Sequence, residues 1–103
     1  MILYLDTTDF NKTIFGFSLS GKDKIYKQLL KIKPNESFKT VWKLEEFLKK
    51  NKISKQTIKK IVVNKGPGSF VGTRVGITIS LALGFALGVK VKMLTKDEME
   101  KVL

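Results

Sequence analysis

The sequence predicts an α/β domain in which helices pack on a mixed five-stranded sheet. Three β-rich segments separated by short polar turns fill residues 1–32, a pattern typical of an antiparallel meander. Two longer helical segments then alternate with two further strands, which indicates crossover connections to parallel strands. The chain has 103 residues, 43% of them apolar, enough for one domain with its own core. The predicted order is β-β-β-α-β-α-β, followed by the start of another helix.

The first strand is predicted at residues 2–5, an apolar run that ends at a polar turn. The second covers residues 13–19, which are rich in β-forming side chains. Ser20-Gly21-Lys22-Asp23 is a cluster of turn-forming residues. The third strand is predicted at residues 24–32, where polar and apolar side chains alternate, so that one of its faces meets water. Pro34-Asn35 ends this meander.

The first helix follows, with Asn35 or Ser37 as its N-terminal cap. Lysines predict a solvent-facing side that continues to Asn51. The apolar side of this helix includes Phe38, Val41, Trp42, Leu44, Phe47 and Leu48. We expect the single tryptophan to lie in the core or in an interface, because no convergent polar groups surround it that would hold a cofactor.

The fourth strand is predicted at Ile61-Val62-Val63, after a short helical turn at residues 54–60. Its apolar residues do not alternate with polar ones, which indicates burial on both faces, as in a parallel strand. The longest helix of the chain is predicted at residues 69–87, and Gly88 directly after it is predicted to end it in a left-handed conformation.

The fifth strand is predicted at residues 89–93, where Lys90 and Lys92 indicate a sheet edge. Thr95 and Glu98 then have the spacing of a capping box, which marks the beginning of a helix. Only a few residues follow, so this last helix is predicted to be truncated.

The composition excludes several kinds of site. The sequence has no cysteine and no histidine, which rules out disulfides, thiolate or imidazole metal ligands and histidine-dependent triads. The N-terminus lacks the basic start of a signal peptide. The longest uncharged run, residues 75–89, is shorter than the roughly 18 residues that span a bilayer. We therefore expect a cytoplasmic protein that does not contact a membrane.

The net charge of +11 is concentrated in the middle of the chain. Residues 22–65 contain 14 lysines and 4 acidic residues. Such a block is typical of a nucleic-acid footprint. It is also what a generally lysine-rich surface would give, since the sequence has a single arginine, the usual bidentate ligand of phosphate. Both interpretations stay open from the sequence.

The glycine-rich stretch at residues 64–76 leads from a buried strand into the longest helix. It matches neither the Walker A pattern nor the dinucleotide-binding G-x-G-x-x-G pattern. A helix N-terminus can still bind an anion, with Ser69, Thr73 and Arg74 nearby to assist. Small residues also recur every four positions, at Gly68, Gly72, Gly76, Ser80, Gly84 and Gly88. Glycine inside a helix costs about 1 kcal/mol relative to alanine, so this row predicts close approach of another element, from this chain or from a partner.

Asp6-Thr7-Thr8 follows the first strand, at the edge where open α/β sheets commonly bind ligands. A carboxylate and two hydroxyls there are candidate ligands for a metal–phosphate group. They are equally suited to capping the turn. No second carboxylate occurs in a comparable position, so the sequence does not predict an acid–base pair.

Three parts of the sequence together resemble the N-terminal domain of the TsaB/YeaZ proteins. They are Leu5-Asp6-Thr7-Thr8, the string GPGSFVGTRVG at residues 66–76, and LGFALGV at residues 83–89. Those proteins are bacterial subunits of the complex that forms threonylcarbamoyladenosine in tRNA, within the actin-like ATPase superfamily. The resemblance covers essentially the whole chain and implies one actin-like (ribonuclease H-like) domain at residues 1–103.

The resemblance also implies a role and partners. It implies a non-catalytic scaffold that pairs with the catalytic TsaD (Gcp/Kae1-type) subunit, and that acts with TsaE on adenosine 37 of tRNAs reading ANN codons. The tRNA is then contacted indirectly, through the complex, and a second copy of the chain is an alternative partner. The expected interface comprises Phe38, Val41, Trp42, Gly68, Phe70, Gly72, Arg74, Gly76, Ile79 and Ser80. Asp6, Thr7 and Thr8 are expected to be the remnant of a phosphate site.

The sequence departs from the family pattern in ways that bear on cofactors. The catalytic paralogue carries a histidine metal motif, whereas this chain has no histidine. Glu36-Ser37 stands where the family usually has His-Ser, and Val71 replaces a threonine. We expect the second domain of the family to be absent, and we therefore expect neither ATP nor magnesium to bind. Two alternatives remain: a phosphate- or nucleotide-binding half-enzyme dependent on Asp6, and a basic tRNA-binding module.

Overall fold

The computed structural model describes residues 1–9, 11–19 and 24–103, except for the side chains of residues 34 and 35. The predicted turn at residues 20–23 lies outside the described residues, as does the proposed capping side chain of Asn35. The strands are β1 (Ile2–Asp6), β2 (Thr13–Ser18), β3 (Ile25–Leu30), β4 (Lys60–Asn64) and β5 (Lys90–Leu94). The helices are α1 (Thr40–Lys50), α2 (Phe70–Leu87) and α3 (Lys96–Val102), with short 3₁₀ segments at Pro34–Lys39 and Lys55–Thr57.

The five strands form one sheet in the order β3-β2-β1-β4-β5. Strands β1, β2 and β3 are antiparallel neighbours, as the short turns predict. Strands β4 and β5 run parallel to β1, each reached through a helix. The mixed five-stranded α/β sheet and the element order predicted from the sequence are therefore confirmed.

The edge strands of the sheet differ in composition from its central strands. Strands β1 and β4 are central, and their side chains Leu3, Leu5, Ile61 and Val63 are fully buried. Strands β3 and β5 are the edges of the sheet, where lysine side chains disfavour pairing with a strand of another molecule. The lysines of the last strand thus predicted its edge position correctly.

Helices cover the two faces of the sheet unequally. Helices α1 and α2 lie on one face, where Leu44, Phe47 and Leu48 of α1 join Leu3, Leu5 and Phe15 of the sheet in the main core. The short helix α3 lies on the other face, where Met99 packs against Tyr4, Val62 and Leu94. The larger core therefore lies under the two long helices.

The first helix differs from its prediction at its start and in its buried side. The α-helix begins at Thr40 after the 3₁₀ segment, and the preceding Lys39 makes no side-chain cap. Ser37 lies within the 3₁₀ segment and is not the cap. Phe38 and Trp42 are each 62% exposed, because the core side of the helix consists of residues about half a turn away. Trp42 is therefore a surface residue.

The predicted ends of the other two helices are confirmed. Ser69 caps α2 by accepting a hydrogen bond from the Gly72 amide at 3.2 Å, and Gly88 ends it with a φ of 68°. Thr95 and Glu98 form the capping box of α3. Helix α2 has 18 residues and a mean hydropathy of 1.7, so by length and composition it is capable of crossing a membrane, a test that core helices of soluble proteins also pass.

Candidate functional site

The glycine-rich turn is held in place by contacts on both of its sides. The Asn64 side chain accepts a hydrogen bond from the Gly66 amide at 2.8 Å. The Gly66 carbonyl accepts one from the Lys96 amide, also at 2.8 Å, and the Ser69 amide donates to the Thr8 carbonyl at 2.7 Å. The turn therefore joins the ends of β1, β4 and β5, and the amides of Gly66 and Ser69 are used within the fold.

The row of small residues on α2 faces the sheet of this same chain. A Cβ added at Gly68 would lie 2.6 Å from Thr8, and one added at Gly72 or Gly76 would overlap Thr7. Further along the helix, a Cβ at Gly84 would lie 2.5 Å from the Val91 side chain. Close approach is thus the reason for the row, and the approaching element is the sheet.

This placement corrects the predicted interface at Gly76 and Ser80. A side chain at Gly68, Gly72 or Gly76 would point towards Thr7 or Thr8. Ser80 is fully buried. Gly76 and Ser80 are buried and cannot contact a partner unless α2 moves away from the sheet, whereas Gly72 is half-buried and Gly68, before the helix, is exposed. The spacing marked one face of the helix correctly, but it did not show which neighbour covers that face.

Asp6, Thr7 and Thr8 form hydrogen bonds within the turn and with α2. One carboxylate oxygen of Asp6 accepts from the Thr8 amide at 3.0 Å and from the Thr8 hydroxyl at 2.7 Å. The Thr7 hydroxyl donates to the Gly72 carbonyl. Both threonines are buried. The Thr8 hydroxyl thus caps the turn, one of the two roles that the sequence left open, whereas the Thr7 hydroxyl connects the turn to α2.

A cavity of about 290 Å³ lies beside Asp6, between the sheet and α3. Three carboxylates, from Asp6, Asp9 and Glu100, line it together with Lys12, Lys27 and Lys96. Among residues 1–9, 11–19 and 24–103, no three acidic side chains are grouped closely enough to hold a metal ion. The cavity is thus a mixed-charge surface depression in which the carboxylates are dispersed.

All the remaining predicted interface residues except Trp42 line a groove between α1 and α2. The groove consists of an upper apolar depression of about 450 Å³ and a lower apolar depression of about 430 Å³. Val41, Thr78 and Ile79 line both depressions, so that the two are continuous. The upper depression is lined by Ser37, Phe38, Val41, Phe70, Val71, Arg74, Val75, Thr78 and Ile79. Five of the ten predicted interface residues are therefore brought together here.

Exposed aromatic side chains border the groove. The rings of Phe38 and Trp42 meet edge to face, with centroids 6.0 Å apart. On α2, Phe70 is 71% exposed, and the Arg74 guanidinium lies 4.2 Å from the centre of its ring. An ion pair of 2.7 Å between Lys39 and Glu36 lowers the pKa of Glu36 and tethers the 3₁₀ segment that precedes α1. Exposed apolar surface of this extent is typical of a protein–protein interface.

The outer side of α2 also presents exposed residues that the predicted interface did not include. Val71, Leu81 and Phe85 are exposed, and Phe85 is 92% accessible. They lie on the side of α2 opposite the small residues. A helical projection of the sequence at 100° per residue also places them on that side. The glycines mark the inner side of α2, and these residues mark its outer side.

Comparisons with known proteins relate the chain to one family. A family model described as "TsaD: tRNA N6-adenosine threonylcarbamoyltransferase" matches residues 40–95. The chain is 29% identical over 98 residues to the tRNA threonylcarbamoyladenosine biosynthesis protein TsaB of Bacillus subtilis (strain 168), over 94% of this chain and 42% of that protein. It is 34% identical over 87 residues to the protein of the same name from Buchnera aphidicola subsp. Baizongia pistaciae (strain Bp), over 84% of this chain and 37% of that protein.

The fold has a solved counterpart. The structure of YeaZ from Pseudomonas aeruginosa superimposes with a TM-score of 0.79 at 21% identity, over 91% of this chain and 43% of that one. This likeness shows that the sheet and helices are those of an actin-like, ribonuclease H-like domain. The chain spans about two fifths of the length of these relatives. It belongs to the family of the matching model, TsaD: tRNA N6-adenosine threonylcarbamoyltransferase, and within it to the TsaB/YeaZ proteins.

Proposed function

We propose that this chain is a non-catalytic subunit of the complex that makes N6-threonylcarbamoyladenosine at position 37 of ANN-decoding tRNAs. It docks the catalytic TsaD-type subunit through the groove between α1 and α2. Its relatives in Bacillus subtilis and Buchnera aphidicola are named as tRNA threonylcarbamoyladenosine biosynthesis proteins TsaB, which supports the process. The exposed apolar groove supports docking as the means.

The observation that carries the docking proposal is the contrast between the two sides of α2. The inner side is filled by the sheet and the turn after β1, whereas the outer side presents Phe70, Leu81 and Phe85 to water. Phe38 of the 3₁₀ segment and Trp42 of α1 are exposed as well. Covering apolar area contributes about 25 cal/mol per Å². Aromatic and arginine side chains are also the residues that most often dominate interface energies. A helical partner laid along the groove would cover Phe38, Phe70 and Arg74, which line its upper depression.

The chemistry of the chain favours a non-catalytic role. The sequence supplies no histidine and no cysteine as base, nucleophile or metal ligand. The hydroxyls of Thr7 and Thr8 are engaged within the fold. The transfer of the threonylcarbamoyl group is accordingly assigned to the partner subunit, with TsaE as a further component of the assembly.

The docking proposal is tested by mixing the chain with the TsaD-type protein of the same organism and measuring complex formation by light scattering and calorimetry. We expect a complex at micromolar concentration. The double variant Trp42→Ser/Phe70→Ser should weaken it at least tenfold, because Phe70 lines the groove and Trp42 packs against Phe38 at its border. Both side chains are exposed and contribute little to the core.

Leu29→Ser is the matched control, since it removes an exposed apolar side chain from strand β3, outside the groove. It should leave the affinity unchanged. Absence of any complex with the unaltered chain would overturn the docking proposal. So would equal weakening by the control and by the groove variant.

A further inference from the structure

The second half of the chain contains an unusually long stretch without negative charge. Between Glu46 and Asp97 the sequence has no acidic residue, whereas it has ten lysines and one arginine there. Exposed lysines without acidic neighbours are not explained by ion pairing within the fold. Their distribution on the structure therefore decides whether they form one surface.

The fold gathers most of these lysines at one end of the sheet. Helix α1 ends there with Lys49 and Lys50, and strands β4 and β5 begin there with Lys60 and Lys90. The connection from α1 to β4 is bound to the same end, since the Lys59 amide donates to the Met1 carbonyl at 2.8 Å. We call this surface the lysine pole. It comprises Lys49, Lys50, Lys52, Lys55, Lys59, Lys60 and Lys90.

The lysine pole holds like charges close together. Lys60 and Lys90 are direct partners in the register of two adjacent parallel strands, which places their backbones about 4.8 Å apart. Like charges directly opposite each other destabilise a sheet. In the described part of the chain, Lys55 alone among the seven has a carboxylate within reach, that of Glu45 at 2.7 Å. The C-terminus of α1 offsets only about half a charge.

We propose that the lysine pole binds the phosphate backbone of RNA. A polyanion relieves the repulsion between these lysines and releases the counterions that both surfaces hold. The choice of tRNA as the RNA rests on the proposed function, whereas the site itself rests on the charges. The lysines of the 22–65 block that follow β3 and β4, at Lys31, Lys33 and Lys65, lie at the opposite end of the sheet and do not belong to the site.

The residues between the lysines favour RNA over a lipid surface. Asn51, Ser54, Gln56 and Thr57 are exposed and polar, and such side chains donate to and accept from phosphate and sugar oxygens. The two apolar residues of the segment, Ile53 and Ile58, are partly and fully buried. Membrane binding by a basic surface normally needs exposed apolar side chains among the cations, and residues 49–60 present none.

The lysine pole is separate from the docking groove. None of its seven lysines lines either depression of the groove, although the pole adjoins the end of α1. The chain can therefore hold the catalytic subunit on its helical face and RNA phosphates at the end of the sheet at the same time. Neither contact requires the other.

The test measures binding of the chain alone to a fluorescently labelled, unmodified transcript of an ANN-decoding tRNA at several salt concentrations. The pole variant carries Lys49→Gln, Lys50→Gln, Lys59→Gln and Lys90→Gln. It should bind at least tenfold more weakly at low salt. The plot of log K against log salt should become less steep by about three, since the four removed lysines each neutralise roughly one phosphate.

The matched control carries Lys31→Gln, Lys33→Gln, Lys65→Gln and Lys96→Gln, which remove the same charge from exposed positions at the other end of the sheet. It should retain most of the affinity and the slope. Equal loss in both variants would show dependence on net charge alone and would overturn the proposal. Binding to phosphatidylserine-containing vesicles without binding to tRNA would overturn it in favour of a membrane. A chain that docks the TsaD-type subunit but never binds tRNA refutes this inference and leaves the proposed function intact.

Discussion

Gly76 of the longest helix lies against Thr7, the residue that follows β1. A Cβ at position 76 would overlap the Thr7 hydroxyl, which itself donates to the carbonyl of Gly72 one turn earlier. The residues are far apart in sequence, and neither alone indicates the other. Their contact explains why α2 tolerates glycines that cost helical stability. It also sets the distance between α2 and β1.

We predict that Gly76→Ala lowers the free energy of unfolding by about 2 kcal/mol, because the added methyl group must displace Thr7 or the helix. For a domain of this size the melting temperature should fall by roughly 10 °C in thermal denaturation. Gly88→Asn is the control. Gly88 has open space around it and a left-handed φ of 68°, which asparagine tolerates. A Gly76→Ala protein as stable as the original would contradict the close contact of α2 with β1.

At the level of whole elements, the two surface helices show why the buried side of a helix is hard to predict from apolar residues alone. In α1 the apolar residues extend around more than half of the helix, and the core takes Leu44, Phe47 and Leu48. In α2 the buried side consists of Gly76, Ser80 and Gly84, while large apolar side chains face outwards. Size complementarity to the sheet, more than hydrophobicity, determines which side of α2 is buried.

Helix α3 depends on its capping box, and this dependence should vary with pH. The Glu98 carboxylate accepts from the Thr95 amide and the Thr95 hydroxyl, both at 3.0 Å. The hydrogen bond from the Thr95 backbone is the main cause that lowers the pKa of Glu98. A carboxyl group whose pKa is lower in the folded state stabilises the fold above its unfolded pKa. That contribution is lost as the pH falls through the folded-state pKa.

We therefore predict that Glu98→Ala lowers the melting temperature at pH 7 and that the difference from the original chain shrinks on acidification to about pH 3. Thermal denaturation followed by circular dichroism at the two pH values measures it. Glu100→Ala, which removes an exposed carboxylate of the same helix outside the capping box, should show a smaller difference at pH 7. A difference for Glu98→Ala that grows on acidification would be contrary to the expected sign.

For the molecule as a whole, the apolar groove and the mixed-charge cavity are separate surfaces, and this separation bears on nucleotide binding. The apolar groove lies on one face of the sheet, and the mixed-charge cavity beside Asp6 lies on the other. Asp6 already accepts two hydrogen bonds from Thr8. The hydroxyls suited to a phosphate are thus engaged, which supports our proposal that this chain alone holds no ATP.

We predict that calorimetry with ATP and magnesium gives no saturable binding to the chain alone at millimolar nucleotide. Titration of the Asp6→Ala variant should give the same result. Saturable binding that this substitution abolishes would favour the half-enzyme alternative over the scaffold. The TsaD-type subunit measured under the same conditions serves as the positive control.

The order of the elements, the direction of the strands and the helix ends at Ser69, Gly88 and Thr95 followed from local patterns in the sequence. Each rests on residues a few positions apart, such as the uninterrupted apolar run of β4 or the capping box of α3. The resemblance to the TsaB/YeaZ family also depended on contiguous motifs. The interface predicted from it includes five residues that line the groove, Phe38, Val41, Phe70, Arg74 and Ile79, and their contact with a partner stays a prediction. Local interactions of this kind are encoded within one element.

Which side of an element is buried, and which residues become neighbours on the surface, depends on contacts between residues that are distant in the sequence. The four-residue spacing of small residues shows a face of α2, but the Thr7–Gly72 hydrogen bond, 65 residues apart, makes that face internal. Lys90 is 30 residues from Lys60, yet the parallel register makes them neighbours and creates the lysine pole. A sequence pattern within one element shows which of its sides differs from the others in composition. The element that covers that side is determined by packing across the whole domain, where close approach and burial are shared among several segments.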